Sequence, residues 1–544
     1  MRLRVWLMIL VCCGAALAQT PVEKADSKNK GVITGRVIGE DGQPLAGASV
    51  QAQSRTGVSR NVFTAEDGSF RLTGLSASNY RLSASLPAYV MSPMTGEAGE
   101  PRFFRDGDSA TITLVKGGVL TGRVTDANGQ PIPGLQISAQ RLRNAEGKLL
   151  NNFGYARRTD DRGIYRIFGL PSGTYVVRSE GSDSGWSWNA DEQANDSTIY
   201  YPSSSRDAAT ELSVQPGVEL SGIDINYRAE PGRKVSGKVF GATNGQYFMT
   251  YLRLPGSGET MHENFRSVAG SKLEDGIGFE LRGIADGEYE LSAERTNGED
   301  DGAVSPPRRV SVKGSDVTGV DLRLMPLASI TGKVLFEDLP KPVTAKDSAC
   351  SKLRGGKIEE SVVTASAEQT PAQLQQHAQL GYSAVTAEGN FKIIRLFAAR
   401  YRFSLQLPSE AWYVRSIVQP DSRSQRKLSL ADGLTIKSGD KIKDVTVTLA
   451  NGAATLSGKL KTDAGKKPPA NLRIHLIPAE KESAEDALRY FESKAAENGA
   501  FAFHHLPPGK YWLLTRASEE ASITDATKRS KLRREAEAVN TMIE

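Results

Sequence analysis

The sequence predicts an all-β protein, a tandem array of about five Greek-key antiparallel β-sandwich domains followed by a short C-terminal helix. Three observations predict this class. A motif of turn, alternating strand and tyrosine recurs five times, a glycine-containing strand precedes each copy, and an alternating strand follows four of them. At 544 residues the chain is too long for one hydrophobic core, and its 53 glycines suit a fold with many tight turns.

The recurring motif places an aromatic residue ten positions before a tyrosine in every copy. Five equal spacings in one chain indicate internal repetition. The tyrosine follows a turn and is typical of a tyrosine corner, in which the hydroxyl binds the upstream backbone. Copies one and four have Ser78-Asn79 and Ala399-Arg400 in place of the glycine turn, so we expect less regular corners there. The aromatic residues are Phe70, Tyr165, Phe279, Phe391 and Phe501, and the corner tyrosines are Tyr80, Tyr175, Tyr289, Tyr401 and Tyr511.

The glycine strand has the form apolar, Ser or Thr, Gly, Arg or Lys, apolar. Because side chains alternate along a strand, the glycine shares a face with the two apolar residues. Such a glycine either makes room for a large neighbour, such as the aromatic residue of the motif, or marks a bulge, and the sequence leaves both open. The five strands are ITGRV (33–37), LTGRV (120–124), VSGKV (235–239), ITGKV (330–334) and LSGKL (456–460).

The closing strands are alternating segments that follow the first four tyrosines: ATITLV (110–115), GIDINY (222–227), GVDLRL (319–324) and DVTVTL (444–449). Short connections lead from them to the next glycine strand, which predicts repeats stacked end to end as a semi-rigid rod. Copy five has no clear closing strand and continues into a helix-favouring segment at 523–544. A helix is also predicted at Ala484 to Ala496, and a long polar loop with some helix at Lys341 to Gln379.

These patterns divide the chain into eight segments. They are a signal peptide (1–18), a linker (19–29), repeat 1 (30–115), repeat 2 (116–229), repeat 3 (230–326), repeat 4 with a long polar insertion (327–450), repeat 5 (451–517) and a C-terminal helical tail (518–544).

The first 18 residues predict export. Arg2 and Arg4 precede an apolar run that is too short to span a membrane, and Ala16-Leu17-Ala18 has the form of a cleavage site. Cleavage after Ala18 leaves Cys350 as the one cysteine, so no internal disulfide is expected. It also lowers the 68 basic residues to 66, against 63 acidic residues. This balance argues against a nucleic-acid partner, and no later stretch is apolar enough to be a transmembrane segment.

With these motifs the chain resembles the carboxypeptidase regulatory-like family, a branch of the transthyretin-like and carbohydrate-binding-like β-sandwiches. The TGRV strand, the DGQPLAGASV stretch (41–50) and the run at 160–175 carry the resemblance, which extends over most of residues 30 to 517. The resemblance implies a non-catalytic seven-stranded sandwich in a secreted bacterial protein. It transfers no activity.

The sequence offers no assembled catalytic motif. No histidine begins a His-x-x-Glu or His-Glu-x-x-His zinc motif, and there is no Gly-x-Ser-x-Gly elbow or phosphate loop. His504-His505 could include a metal ligand, although a surface or corner role is favoured. Asp160-Asp161 is better explained by turn chemistry than by calcium. We therefore expect no enzyme activity, no cofactor and no bound metal.

The best candidate for ligand binding is the stretch GWSWNADEQANDSTIYYP (185–202), with Trp186, Trp188, Tyr200 and Tyr201. Exposed aromatic rings can stack on sugars while Asn and Asp bind hydroxyl groups. The alternative is that these rings fill the edge of the sandwich. Trp412-Tyr413 is a weaker second candidate.

The sequence therefore predicts an exported, non-catalytic structural or interaction protein of a bacterial cell envelope, located in the periplasm, at the outer membrane or outside the cell. It would bind an envelope or extracellular protein or a polysaccharide. The alternative is a dedicated carbohydrate-binding protein that uses the aromatic residues of repeat 2, and a hydrolase is disfavoured. Neither the ligand nor the oligomeric state follows from the sequence.

Overall fold

The structure, a computed structural model, describes residues 31–543 apart from several internal segments. These segments are 55–58, 77, 95–101, 151–153, 180–195, 229, 243–246, 268–274, 296–301, 338–355, 369–380, 421–426, 431, 461–471, 497–498, 518–522 and 524–525. The predicted signal peptide, Cys350, Trp186 and Trp188 lie outside the described residues.

Repeats 1 and 2 are each built from two sheets whose facing surfaces form a core. The strands of repeat 1 are β1 (Gly31–Gly39), β2 (Ser49–Ser54), β3 (Ser59–Phe63), β4 (Ser69–Leu75), β5 (Tyr80–Ser85), β6 (Tyr89–Met91) and β7 (Ser109–Lys116). Those of repeat 2 are β8 (Gly118–Thr125), β9 (Gln136–Asn144), β10 (Tyr155–Arg158), β11 (Ile164–Leu170), β12 (Gly173–Ser179), β13 (Leu212–Val214), β14 (Glu219–Leu220) and β15 (Ile225–Asn226).

Repeats 3 and 4 follow the same plan. Repeat 3 contains β16 (Arg233–Phe240), β17 (Tyr247–Arg253), β18 (Thr260–Ser267), β19 (Ile277–Ile284), β20 (Gly287–Arg295), β21 (Ala303–Val304), β22 (Arg308–Val312), β23 (Leu322–Arg323) and β24 (Met325–Pro326). Repeat 4 contains β25 (Ala328–Glu337), β26 (Val362–Ala367), β27 (Gly381–Ala384), β28 (Asn390–Leu396), β29 (Ala399–Gln406), β30 (Trp412–Pro420), β31 (Lys427–Ser429), β32 (Leu434–Ile436) and β33 (Lys441–Asn451).

Repeat 5 is smaller, and the tail completes one of its sheets. Its strands are β34 (Ala454–Lys459), β35 (Leu472–Pro478), β36 (Phe491–Lys494), β37 (Ala500–Leu506) and β38 (Tyr511–Ala517), followed by helix α1 (Ala526–Val539) and β39 (Met542–Ile543). Leu532 and Ala536 of α1 are fully buried against Trp512, and β39 pairs with β38. The predicted all-β class, with tandem sandwiches and a C-terminal helix, is confirmed.

The glycine of each glycine strand lies directly opposite the aromatic residue of its motif. A Cβ atom on Gly35 would lie 2.6 Å from the ring of Phe70, and one on Gly332 would lie 2.6 Å from the ring of Phe391. The glycine therefore makes room for the ring, the first of the two interpretations left open. The five pairs are Gly35 with Phe70, Gly122 with Tyr165, Gly237 with Phe279, Gly332 with Phe391 and Gly458 with Phe501.

The closing strands of repeats 1 to 4 pair with the glycine strands in parallel, although most other strand pairs are antiparallel. β7 runs beside β1, β14 and β15 beside β8, β23 beside β16, and β33 beside β25. Each glycine strand of these four repeats therefore lies between the aromatic strand on one side and the closing strand on the other. Both apolar residues of each of these glycine strands are 0% exposed.

Two local predictions are wrong. Residues 484–496 contain a 3₁₀ turn (Ala487–Arg489) and strand β36 rather than a helix. The described part of the insertion in repeat 4 holds a 3₁₀ turn (Ile358–Glu360) and β26, which lies between β27 and β29. Composition missed β26 because its short run of Val and Thr, which favour strands, is surrounded by polar sequence.

The predicted end-to-end rod is also wrong, because repeat 1 contacts repeat 4. The Arg105 guanidinium donates to the carbonyl oxygen of Leu407 at 2.6 Å, and the Gln406 side-chain amide donates to the carbonyl oxygen of Phe103 at 3.1 Å. The ring of Phe103 packs on that of Tyr382, with centroids 5.3 Å apart. A rod would separate these residues by the length of two intervening repeats.

Repeats 1 to 4 form a closed circuit of contacts. Between repeats 1 and 2, the Gly117 amide donates to the carbonyl oxygen of Ala88 at 2.8 Å. Between repeats 3 and 4, the Ser438 hydroxyl donates to the carbonyl oxygen of Pro326 at 2.8 Å. Repeats 2 and 3 share a hydrophobic cluster to which Leu142 of repeat 2 contributes. The contact between repeats 4 and 1 completes the circuit.

Candidate interaction sites

The four aromatic residues predicted as a ligand platform fall into two groups. Trp186 and Trp188 lie outside the described residues, but the stretch that carries them is flanked by a fixed stem. There the Ser179 amide donates to the carbonyl oxygen of Ile199 at 2.8 Å. Tyr200 is 1% exposed and Tyr201 is half-buried against the core of repeat 2. The ring of Tyr200 therefore presents no face to a ligand in solvent.

Tyr200 instead belongs to the contact between repeats 2 and 3. Its hydroxyl lies 3.6 Å from the sulfur of Met261, and complete burial raises its pKa. Beside it, Arg206 of repeat 2 forms an ion pair with Glu259 of repeat 3 through bonds of 2.6 to 3.0 Å. Glu259 is almost fully buried, so removal of Arg206 would leave a desolvated carboxylate. This pair fixes the relative position of the two repeats.

The five predicted corner tyrosines are all buried, and each hydroxyl is hydrogen-bonded to the backbone four residues upstream. In repeats 2, 3 and 5 the hydroxyl donates to a carbonyl oxygen at 2.7 to 2.9 Å. In repeats 1 and 4 a backbone amide donates to the hydroxyl, at 3.0 Å for Tyr80 and 3.1 Å for Tyr401, and the Tyr80 hydroxyl also donates to the carbonyl oxygen of Ser76 at 3.2 Å. In the two corners without a glycine turn, the hydroxyl thus accepts from a backbone amide. Burial raises the pKa of Tyr289 to about 12.

The repeat 1 corner also contributes to the contact with repeat 4. The side-chain amide of Asn79 donates to the carbonyl oxygens of Glu359 and Ser361, both at 3.3 Å. Asn79 is 3% exposed. It stands where the other four repeats have Thr174, Glu288, Arg400 and Lys510. The departure from the glycine turn at Ser78-Asn79 was the one sequence signal that marked this contact.

A left-handed residue recurs four positions after each motif aromatic and produces a bulge in the aromatic strand. It is glycine in repeats 1 to 3, with φ between 68° and 76°, but Arg395 and His505 in repeats 4 and 5, with φ of 63° and 57°. A residue other than glycine is strained in this left-handed conformation. Both contact the preceding repeat: Arg395 lies against Gly302, and His505 donates from Nδ1 to the carbonyl oxygen of Trp412 at 2.9 Å. The repeated motif alone did not predict that this position lies at a contact between repeats.

The histidine pair predicted as a possible metal ligand lies at the contact between repeats 4 and 5. His504 and His505 approach the Glu410 carboxylate at 3.4 and 3.6 Å. Within the described part of the chain, no group of three or more His, Cys, Asp or Glu side chains could hold a metal ion.

The Asp160 carboxylate, in the turn before β11, accepts from the Ile164 amide at 2.7 Å, and this bond is the main cause of its lowered pKa.

A buried histidine lies in the core of repeat 5. His475 is 0% exposed, and its Nδ1 atom is 3.5 Å from the Glu492 carboxylate, which is paired with Arg473. Burial lowers the pKa of His475, because the charged form would lose its hydration. The side chain therefore stays neutral in the folded repeat at neutral pH. It is a point of acid sensitivity rather than a site open to ligands.

The second aromatic candidate is buried. Trp412 is 4% exposed and Tyr413 is 6% exposed. The indole of Trp412 stacks on Phe336, with centroids 4.1 Å apart and an interplanar angle of 24°. Trp412 belongs to the core of repeat 4 and Tyr413 is buried, so the predicted ligand platform at this position is wrong.

Comparison with protein families identifies the first two repeats. The model of the carboxypeptidase regulatory-like domain matches residues 32–101 and 119–185. Repeats 1 and 2 are therefore similar to carboxypeptidase regulatory-like domains. The matched residues include the glycine strand, the aromatic strand and the corner tyrosine of both repeats, the same elements that recur in repeats 3 to 5.

The comparison with solved structures returns matches of low similarity. The Bacillus anthracis TIE protein is 12% identical, with 79% of this chain and 76% of that chain covered and a TM-score of 0.15. A minor pilin of Streptococcus agalactiae is 14% identical, with coverages of 37% and 98% and a TM-score of 0.19. At these scores neither similarity supports an inference about function. No curated protein matches the chain.

None of the helices in the described part of the chain has both the length and the apolar character needed to cross a membrane.

Proposed function

We propose that this protein is an exported, non-catalytic interaction protein of a bacterial envelope or exterior. The observation that carries the proposal is the closed circuit of repeats 1 to 4. Charge-assisted and buried contacts at Arg105 and at the Arg206–Glu259 pair hold the sandwiches in fixed relative positions. Such an assembly presents loops from several domains at once, which suits recognition of a protein or a glycan. The signal peptide predicted at 1–18 supports a location outside the cytoplasm.

A second candidate function is carbohydrate binding through Trp186 and Trp188. The hydrogen bond between Ser179 and Ile199 supports it, because it brings together the two ends of the stretch that carries both tryptophans. Burial of Tyr200 reduces the predicted platform to the two tryptophans and the half-buried Tyr201.

The test combines cell fractionation with a binding panel. Export predicts a mature chain that begins at Gln19 in an envelope or extracellular fraction, and a cytoplasmic chain that retains its first 18 residues would contradict it. The mature chain is then measured against a panel of polysaccharides beside the Trp186→Ala/Trp188→Ala variant. The matched control is Phe63→Ala, since Phe63 is another exposed aromatic residue, 70% exposed.

The outcomes separate the candidates. Binding that is lost in the double variant and kept in Phe63→Ala establishes carbohydrate binding in repeat 2. An absence of polysaccharide binding leaves a protein partner as the expected ligand. Release of reducing ends from any polysaccharide would contradict the non-catalytic proposal.

A further inference from the structure

The glycine strand of repeat 5 has an open edge. In repeats 1 to 4 this strand pairs with the aromatic strand on one side and with a parallel closing strand on the other. In repeat 5, β34 pairs with β37, and no other described residue pairs with its second edge. The tail does not fill this position, because β39 adds to β38 in the other sheet.

Because no described strand lies beside this edge, core positions of repeat 5 are more exposed than their equivalents in repeats 1 to 4. In repeats 1 to 4 both apolar residues of the glycine strand are 0% exposed, and the motif aromatic is at most 5% exposed. In repeat 5 the equivalent residues Leu456, Leu460 and Phe501 are only half-buried. Since these residues have the same type and place in the repeat, their exposure results from the absent neighbour.

The backbone groups of the open edge can be assigned from the occupied repeats. The Ser236 amide donates to the carbonyl oxygen of Val317 at 2.9 Å, and the Ser236 carbonyl accepts from the Val320 amide at 3.1 Å. Ser457 is the equivalent residue of β34. Its amide and carbonyl groups therefore point away from β37 toward the open edge, where they can bind another strand.

The space beside Gly458 is open in the same direction. A Cβ atom on Gly35, Gly122 or Gly332 would lie 2.0 to 2.1 Å from a carbonyl oxygen of the closing strand. For Gly458 the three nearest atoms all belong to the Phe501 ring. The place that a closing-strand carbonyl takes in the other repeats is thus available in repeat 5.

We propose that this edge, formed by β34, binds an extended segment of another polypeptide chain that adds parallel to β34. The segment has the alternating apolar pattern of the closing strands, because four occupied copies of the same groove show which pattern fits it. Backbone bonds to Ser457 would give affinity, and apolar side chains covering Leu456 and Phe501 would give selectivity. This inference rests on the proposed function and gives it a defined kind of partner.

A second copy of the chain fits the groove less well. Two β34 edges related by a twofold axis would pair antiparallel and would place glycine near glycine. Such a pairing would set Leu456 beside Leu460 of the other copy, but it would place a glycine rather than an apolar side chain beside the half-buried ring of Phe501. The occupant is therefore a different segment, and a dimer is an outcome that the test can detect.

The test uses the mature chain and a labelled synthetic peptide, KIKDVTVTLA, which is the sequence of residues 441–450 in β33. Fluorescence anisotropy should show saturable binding of this peptide. A control peptide with the same residues in an order that breaks the alternation should bind at least tenfold more weakly. Hydrogen exchange should show new protection of the outward Ser457 amide of β34 when the peptide is bound.

Two variants at one position test the geometry. Ser457→Pro removes the outward amide while leaving the bonds to β37, and should weaken binding about tenfold, the effect of one lost hydrogen bond. Ser457→Ala keeps the backbone amide and should bind within about twofold of the unmodified chain. Unchanged protection of the β37 amides would show that Ser457→Pro leaves repeat 5 folded.

Several results would overturn the proposal. They are no saturable binding, equal binding of the two peptides, equal binding by Ser457→Pro in a folded repeat 5, and an outward Ser457 amide that is already protected in the free chain. A protected Ser457 amide together with a dimer in sedimentation would assign the edge to a second copy. None of these results affects the tests of export or polysaccharide binding, so the two proposals can fail separately.

Discussion

Replacement of the strand glycine by alanine should destabilise repeat 2 far more than repeat 5. A Cβ atom on Gly122 would lie 2.0 Å from the carbonyl oxygen of Ile223 and 2.4 Å from its carbonyl carbon. An ordinary Cβ contact begins at 3.4 Å, so the closing strand must move by the difference. The same carbonyl accepts the hydroxyl of Tyr165 at 2.5 Å, and that bond would be lost.

The size of the effect follows from these two costs. Overpacking of a well-packed core costs about 1–3 kcal/mol, and loss of the Tyr165 hydrogen bond costs about 1 kcal/mol. Alanine restricts the unfolded chain more than glycine does, and this effect offsets about 0.4–1 kcal/mol of the destabilisation. With overpacking at the middle of its range, about 2 kcal/mol, the net loss for Gly122→Ala is about 2.0–2.6 kcal/mol. For Gly458→Ala we expect less than about 1 kcal/mol, because only the half-buried ring of Phe501 must move.

Hydrogen exchange of the mature chain measures the loss of stability in each repeat separately. A local measurement is necessary because a chain of several domains need not unfold in one step. Amides of β8 should exchange roughly 30- to 80-fold faster in Gly122→Ala, and amides of β34 less than about fivefold faster in Gly458→Ala. The strands of repeat 4 serve as the internal reference in both variants. Equal effects in the two repeats, or less than a fivefold effect at β8, would refute the argument from the closing strand.

Three further predictions concern pH and assembly. Burial raises the pKa of Tyr289 to about 12, so the unfolded chain loses this proton first and stability falls as pH rises above 10. The Tyr289→Phe variant should melt at a lower temperature than the unmodified chain at pH 9, as measured by circular dichroism. Its melting temperature should fall less than that of the unmodified chain between pH 9 and pH 11. Burial lowers the pKa of His475, so the unfolded chain gains this proton first as pH falls below 6.5. The amides of β35 should therefore lose hydrogen-exchange protection between pH 7 and pH 5, after correction for intrinsic exchange rates. This loss of protection should be smaller in the His475→Gln variant. Arg105→Ala should increase the radius of gyration in X-ray scattering by opening the circuit, whereas Arg36→Ala, which removes an exposed pair with Asp67, should not.

The repeated elements were predictable because their signals are local. The spacing from Phe70 to Tyr80 recurs in every copy, and it reports a strand, a turn and a corner that are determined within a few residues. The pairing of each glycine with its aromatic residue was one of two open interpretations. It became definite with the register of β1 against β4, which depends on residues distant in the chain.

The arrangement of the repeats was not predictable, because it rests on contacts between residues about 300 positions apart. The short linkers that suggested a rod constrain neighbouring repeats only. Burial of Tyr200 has the same origin: its sequence context resembles an exposed loop, yet Met261 of the next repeat covers it. Likewise, β26 was hidden by its polar surroundings.

Departures from the repeat pattern are therefore the informative positions in this chain. Where the corner glycine is absent, Asn79 joins repeat 1 to repeat 4. Where the bulge glycine is absent, His505 joins repeat 5 to repeat 4 despite a strained backbone, which indicates that the contact compensates for the strain. The absent closing strand of repeat 5 is a third departure of the same kind. If each departure marks a contact, the open edge at Ser457 is the one whose partner lies outside the described residues, and this makes it the first position at which to look for another molecule.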